Sequence, residues 1–177
     1  MAEKDFKTGQ FVVYGTNGIC SIEDITEMSF TRGMEKALYY ILKPEAANAS
    51  TIFVPANNEK LMSKMRVLMS KEDIDELILG TRGKSIKWDS DRRYRTENFH
   101  DILAGGVTED LILMISCIYM RKRELIAQNK KLPSTDSNML KTAEKLVEEE
   151  FSCVLGISPE EVSGYIRKLL DVPESDE

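Results

Sequence analysis

The sequence predicts an α+β protein in which a small antiparallel β-barrel precedes a compact all-helical domain. Between residues 10 and 68 the apolar residues form short β-branched or aromatic runs that Gly, Asn and Pro interrupt, which is typical of strands. From Ser70 onward the apolar residues recur at i, i+3 and i+4, which indicates helices. Because no crossover helix separates the strands, we expect them to pair antiparallel and curl into a barrel. The predicted domains are therefore 1–69 and 70–171, with a disordered acidic tail at 172–177.

Five strands are predicted in the first domain, each bounded by residues that favour turns. Glycines and asparagine at 15–18 can adopt positive φ angles, and residues 31–33 are predicted to lie at the tip of a hairpin. The predicted strands are 11–14, 18–25, 37–42, 50–54 and 65–68.

Five helices are predicted in the second domain, and their ends are marked by capping residues. Ser70 and Asp73 have the spacing of a capping box, and Ser158 with Glu161 repeats it around Pro159. The predicted helices begin at Ser70, span about 90–103, begin at Thr108, span 138–155, and begin at Ser158.

Composition favours a globular cytoplasmic protein, with 42% hydrophobic and 31% charged residues. No apolar run approaches the roughly 20 residues of a spanning helix, and residues 1–10 lack the apolar core of a signal peptide. Cys20, Cys117 and Cys153 are widely separated, which fits a reducing compartment. A zinc site would need them to converge on His100 without any spacing signature, so we predict no metal and no cofactor.

No catalytic constellation is found, and an enzyme with a small-molecule substrate is not expected. Residues 80–85 superficially resemble a phosphate-binding loop. Only two residues separate the glycines at 80 and 83, whereas a phosphate-binding loop has four between its glycines. In addition, a predicted helix precedes these residues, whereas a phosphate-binding loop follows a strand. A glycine-rich hinge explains them better.

One dense cluster runs from Arg82 to Arg95, with six basic residues, the only tryptophan and a tyrosine. It lies in the basic middle of the chain: the net charge is −3 over 1–79, +4 over 80–131 and −7 over 132–177. Basic side chains can neutralise DNA phosphates, and a flat aromatic ring can wedge beside a base in the minor groove. A cluster that combines the two indicates DNA binding. The residues alone slightly favour the alternative, a buried Trp88 among solvated arginines, because tryptophan is usually mostly buried. A second basic cluster, 121–123 with 130–131, lies further along the chain.

Two segments resemble a known family of transcription regulators. Trp88, followed by Arg92, Arg93 and Tyr94 ahead of several helices, is similar to the DNA-binding domain of CarD. The first domain resembles the RNA-polymerase-interacting module of the CarD and CdnL regulators, a module that transcription-repair coupling factor shares. The residues that carry this resemblance are Gly9, Gln10, Val12, Val13, Tyr14, Gly18, residues 39–42, Val54 and Pro55.

The resemblance implies a Tudor-like barrel that binds the polymerase β subunit. It also implies a helical domain whose tryptophan wedges into the minor groove at the upstream edge of the promoter bubble. The protein would then be a nucleoid-associated regulator of open-complex stability. The alternative is a protein–protein adaptor that does not bind DNA.

The candidate site residues form two sets. Met28 and Phe53 stand where some members carry arginine, which suggests a more apolar contact with the polymerase. The polymerase-facing set is Glu27, Met28, Ser29, Phe53 and Pro55. The DNA-facing set is Lys87, Trp88, Arg92, Arg93, Arg95, Arg121, Lys122 and Arg123.

Overall fold

A computed structural model describes residues 6–30, 35–46 and 48–172 of the chain. The chain divides into two compact units, with the boundary between Leu68 and Met69. The predicted hairpin tip at 31–33 lies outside the described residues, as does the predicted disordered tail except Val172.

The first unit is a five-stranded antiparallel sheet, as predicted. Its order is β4-β3-β2-β1-β5, so β4 and β5 lie at opposite ends and the closure of a barrel stays a prediction. The strands are β1 (Phe11–Tyr14), β2 (Ile19–Met28), β3 (Ala37–Pro44), β4 (Ile52–Pro55) and β5 (Met65–Val67).

The long strand β2 organises this sheet. It pairs with β1 from Ile19 to Ser21 and with β3 as far as Met28, and a bulge between Ile22 and Asp24 shifts the register. A bulge bends its strand and increases the local twist, which lets one strand serve both neighbours. The fully buried side chains beneath the sheet are Val12, Cys20, Ile22, Leu42, Val54 and Met65.

One short helix of this unit was not predicted. Helix α1 (Glu59–Met62) is a single turn, and the Asn58 side chain accepts a hydrogen bond from the Leu61 N–H at its start. One turn is too short to show a helical apolar period, so only the capping asparagine could have indicated it.

The second unit is helical, as predicted. Helix α5 begins four residues before the predicted position, because its first turn carries Asp136, whose burial no apolar pattern reveals. The helices are α2 (Lys71–Gly80), α3 (Arg92–Gly105), α4 (Thr108–Ala127), α5 (Ser134–Leu155) and α6 (Pro159–Leu169).

A single apolar core joins these five helices. Phe99 of α3, Met114 of α4 and Phe151 of α5 are almost completely buried in it, together with Ile74 and Ile78 of α2. Of the cysteines, Cys20 and Cys117 are buried and Cys153 is exposed. Among the described residues, no helix has the length and apolarity needed to cross a membrane.

Both predicted capping boxes are present. At α2 the Ser70 N–H donates to the Asp73 carboxylate at 2.9 Å, and the Asp73 N–H donates to the Ser70 hydroxyl at 3.1 Å. At α6 the Ser158 N–H donates to the Glu161 carboxylate at 2.8 Å. These bonds satisfy N–H groups that have no partner within the helix.

We predict that Glu161 titrates below its ordinary pKa of 4.5, because hydrogen bonds from the backbone and side chain of Ser158 lower that pKa. A carboxyl group whose pKa is lower in the folded state stabilises the fold fully above the unfolded pKa, and less as the pH falls through the folded value. Carboxyl-detected NMR titration measures the midpoint. Ser158→Ala should raise it, whereas Ser163→Ala on the same helix should not. A wild-type midpoint at or above 4.5 would contradict the prediction.

Candidate nucleic-acid interface and docking surface

Trp88 lies in the segment between α2 and α3 and is half-buried. Its ring meets the Phe99 ring edge to face, with centroids 6.3 Å apart, and packs against the helical core. The Arg95 guanidinium carbon lies 4.2 Å from the centre of the Trp88 ring, and that of Arg121 lies 5.7 Å away. The core holds the indole on one side while cations approach it on another, so it is neither fully buried nor free.

The sequence predicts Arg95 among the DNA-facing cations, whereas the structure holds its guanidinium in a buried ion pair. Its Nε and Nη2 donate to the two carboxylate oxygens of Asp136 at 3.1 and 3.0 Å, and its Nη1 donates to the Asp89 carbonyl at 2.7 Å. The Arg95 side chain is 6% exposed and that of Asp136 is 1% exposed. Three of the five N–H groups of its guanidinium are therefore engaged inside the protein.

A cavity of about 600 Å³ opens beside the indole, and we call it the Trp88 cavity. Its lining contains four cationic side chains and no carboxylate, and Asp136 neutralises one of the four, Arg95. The Arg121 Nη1 donates to Glu124 at 2.7 Å, while its Nε is buried and has no hydrogen-bond partner. The cavity is therefore positive and aromatic. It is lined by Trp88, Ser90, Arg95, Arg121, Leu125, Lys130, Lys131 and Pro133.

The basic run 121–123 does not form one surface. Successive residues of a helix are rotated by about 100°, so three consecutive cations point in different directions. Arg121 lines the Trp88 cavity, whereas Lys122 and Arg123 line a separate groove between α4 and α6. The three cations therefore cannot act as one patch, and the part of Arg121 in DNA binding stays a prediction.

The first turn of α3 and the segment before it carry the remaining predicted cations. The Arg93 side chain is 90% exposed and its Nε donates to Glu97 at 3.3 Å. The Arg92 Nη2 donates to the Thr135 hydroxyl at 3.2 Å, and Arg92 and Lys87 are both exposed. This turn therefore combines solvent-accessible positive charge with Tyr94, which is 62% exposed.

In the first unit, three aromatic side chains form an exposed group that we call the aromatic cluster. The Phe30 ring lies 5.3 Å from both the Tyr39 ring and the Phe53 ring, edge to face in each case. Phe30 is 65% exposed and Phe53 is 41% exposed. Large apolar side chains grouped at a surface mark interaction sites.

The aromatic cluster brings the two predicted polymerase-facing segments together. Glu27 and Met28 lie at the end of β2, opposite Leu38 and Ala37 of β3, and Ser29 follows them. Phe53 and Pro55 lie on β4, which pairs with the other edge of β3. The prediction missed Phe30, although its position directly after Ser29 could have suggested it.

Two buried or hydrogen-bonded groups of the helical unit, Cys117 and Tyr165, favour their neutral forms. Burial raises the pKa of the Cys117 thiol, which the charge of Arg95 partly opposes. A hydrogen bond to Asp75 raises the pKa of Tyr165 to about 12. Within the described ranges, no group of three or more His, Cys, Asp or Glu side chains is placed to hold a metal ion. None of these side chains is an activated nucleophile.

We predict that Asp136→Asn lowers the free energy of unfolding by about 3–5 kcal/mol, because it leaves the Arg95 charge buried and unpaired. Urea unfolding followed by circular dichroism measures the change. Glu97→Gln is the matched control, since it breaks the exposed pair with Arg93 and should cost less than about 1 kcal/mol. A similar small loss for both variants would show that the buried pair does not stabilise the unit.

Comparison with known families supports the resemblance for the first unit. Residues 6–66 match the family model of the CarD-like/TRCF RID domain. The match ends before the helical unit begins. No curated protein matches the chain.

Proposed function

Because the first unit belongs to the CarD-like/TRCF RID family, we propose that this protein is a non-enzymatic bacterial transcription regulator that joins RNA polymerase to promoter DNA. The match over residues 6–66 is the observation that carries the proposal, because that family is one of polymerase-interacting, transcription-related domains. The proposal goes further than the family match in two respects. It names the β subunit as the partner of the first unit, and it names DNA as the ligand of the helical unit.

The docking surface proposed for the β subunit comprises the aromatic cluster and the adjoining end of β2. Among the described strands, β1 pairs with β2 only as far as Ser21, whereas β3 continues to Met28, so the distal part of β2 has one strand neighbour within the described ranges. A partner strand can add to a strand edge through main-chain hydrogen bonds. Phe30 and Phe53 would then supply apolar contact, and Phe53, like Met28, stands where some members of the similar family carry arginine.

The surface proposed for promoter DNA comprises the Trp88 cavity and the first turn of α3. Positive side chains are unfavourable at a helix N-terminus, where the backbone dipole is itself positive. Arg92 and Arg93 therefore do little for helix stability there, which fits a role in binding phosphate. A ring held between the core and Arg95 is already oriented, so wedging it beside a base step costs little further ordering.

The mechanism follows from differential affinity. A protein that binds the open promoter complex more tightly than the closed one shifts the population toward the open form. With a net charge of −6, this chain binds DNA weakly by itself. Docking on the polymerase would raise its effective concentration at the bubble edge, so that weak DNA contacts suffice. A protein–protein adaptor is the alternative, and an unchanged salt slope in the first test below would favour it.

We predict that the double variant Arg92→Ala, Arg93→Ala reduces the salt slope of DNA affinity by about two, because each neutralised phosphate contributes about 0.9 to that slope. Fluorescence anisotropy on a promoter fragment with a mismatched bubble, at several salt concentrations, measures it. Lys141→Ala with Lys145→Ala on α5 removes the same charge elsewhere and should leave the slope unchanged. An equal slope in the arginine variant and the wild type would favour the adaptor.

We predict that Phe53→Asp weakens binding to the isolated polymerase β subunit at least tenfold, because it places a charge in the aromatic cluster. Val67→Asp is the matched control: Val67 is also an exposed apolar strand residue, 55% exposed, but on β5 at the opposite end of the sheet. Biolayer interferometry compares the two. Equal affinities would show that the aromatic cluster is not the docking surface.

A further inference from the structure

A second concave surface of the helical unit lies between α4 and α6, and we call it the α4–α6 groove. Its volume is about 830 Å³. The floor and walls are mostly aliphatic or aromatic, and the Trp88 cavity shares none of its residues. The groove is lined by Ile112, Ile115, Ser116, Tyr119, Met120, Lys122, Arg123, Ile126, Ala127, Ser163, Ile166, Arg167, Leu170 and Val172.

Large apolar side chains in this groove are exposed to solvent. Met120 and Ile126 are each 60% exposed, and Val172 is 47% exposed. Isolated exposed apolar residues are ordinary, but a contiguous group around a concavity marks a binding surface. Methionine also adapts its shape to different partners.

The charges of the groove have a single sign. Lys122, Arg123 and Arg167 are in its lining, and no carboxylate is. None of the three takes part in an ion pair found within the described residues. The Lys122 Nζ lies 5.5 Å from the centre of the Tyr119 ring. Beside an apolar floor, three cations that form no ion pair with the described residues would favour an acidic ligand.

Tyr119 stays neutral inside this positive surface. Its hydroxyl donates to the Glu144 carboxylate. Burial first, and then this hydrogen bond, raise its pKa to about 12. The phenol therefore adds an apolar ring to the floor and no negative charge.

We propose that the α4–α6 groove binds an amphipathic helix of another protein, with an apolar face that fills the groove and acidic side chains along its flanks. The α4 residues that line the groove run from Ile112 to Ala127, a length of about 22 Å, which matches a helix of about 15 residues. Two helices with an apolar trough between them accept a third helix at i, i+3, i+4 and i+7 positions. A concave trough favours this occupant over a flat membrane surface.

A synthetic peptide tests the proposal in the full-length protein. The probe is a fluorescein-labelled 16-residue helix with leucine at i, i+3, i+4 and i+7 and glutamate at its flanking positions. A second peptide has lysine in place of each glutamate. We expect the acidic peptide to bind at least tenfold more tightly by fluorescence anisotropy, with affinity that falls as salt rises. Equal binding of the two peptides, or binding of neither, would overturn the proposal.

Two variants locate the binding. Met120→Asp puts a negative charge in the groove and should weaken acidic-peptide binding at least tenfold. Val107→Asp is the matched control, since Val107 is 54% exposed at the start of α4, outside the groove, where aspartate is also a good N-cap. Arg123→Gln should reduce the salt dependence without removing the apolar contact. Unchanged peptide binding in Met120→Asp would refute the assignment.

Two other occupants are distinguishable outcomes. If sedimentation shows a dimer that Met120→Asp dissociates, the groove is an interface between copies of this chain, and the proposal is wrong. If phosphatidylglycerol vesicles bind through Met120 and the acidic peptide does not compete with them, the ligand is a membrane and the proposal is again wrong. Because the groove shares no residue with the Trp88 cavity, Met120→Asp should still bind the mismatched-bubble DNA.

Discussion

The helical unit depends on one buried ion pair, between Arg95 of α3 and Asp136 of α5. Removing both charges from water is costly, and the two-pronged geometry offsets that cost because every carboxylate oxygen and the Asp89 carbonyl receives a donor. The pair fixes the N-terminal part of α3 against the first turn of α5. It also fixes the segment that carries Trp88, because Asp89 is the next residue and its carbonyl is part of the same network.

As a consequence, cations that look alike in the sequence have different structural roles. One arginine, at 95, is structural and supports the indole from inside. Arg121, Lys130 and Lys131 surround the cavity beside that indole, and Arg92 and Arg93 project from the adjoining helical turn. Lys122 and Arg123, although they follow Arg121 directly, belong to a different surface. A count of positive charge along the chain could not separate these roles, because the separation arises from helical rotation and from one tertiary contact.

Much of the fold could be predicted from the sequence because its signals are local. Five strands, the change to helical period at Ser70 and both capping boxes depend on residues within a few positions of one another. What the sequence could not reveal was either non-local or too short to show a period. The early start of α5 depends on Asp136 meeting a partner 41 residues away, and a one-turn helix at Glu59–Met62 is too short to have a period. For the sites, the sequence predicted Trp88 and its neighbouring arginines but could not tell that Arg95 forms a buried ion pair. Nor did it reveal that Phe30 lies across from Phe53, because that proximity depends on the pairing of three strands.

The indole beside Arg95 is the only one in the chain. Tryptophan emission from the native protein therefore originates at a single point, between the core, two guanidinium groups and an open cavity. The tryptophan emission of the unlabelled protein reports the polarity and the quenching at that point alone. The single tryptophan is therefore an intrinsic fluorescent probe of the Trp88 cavity.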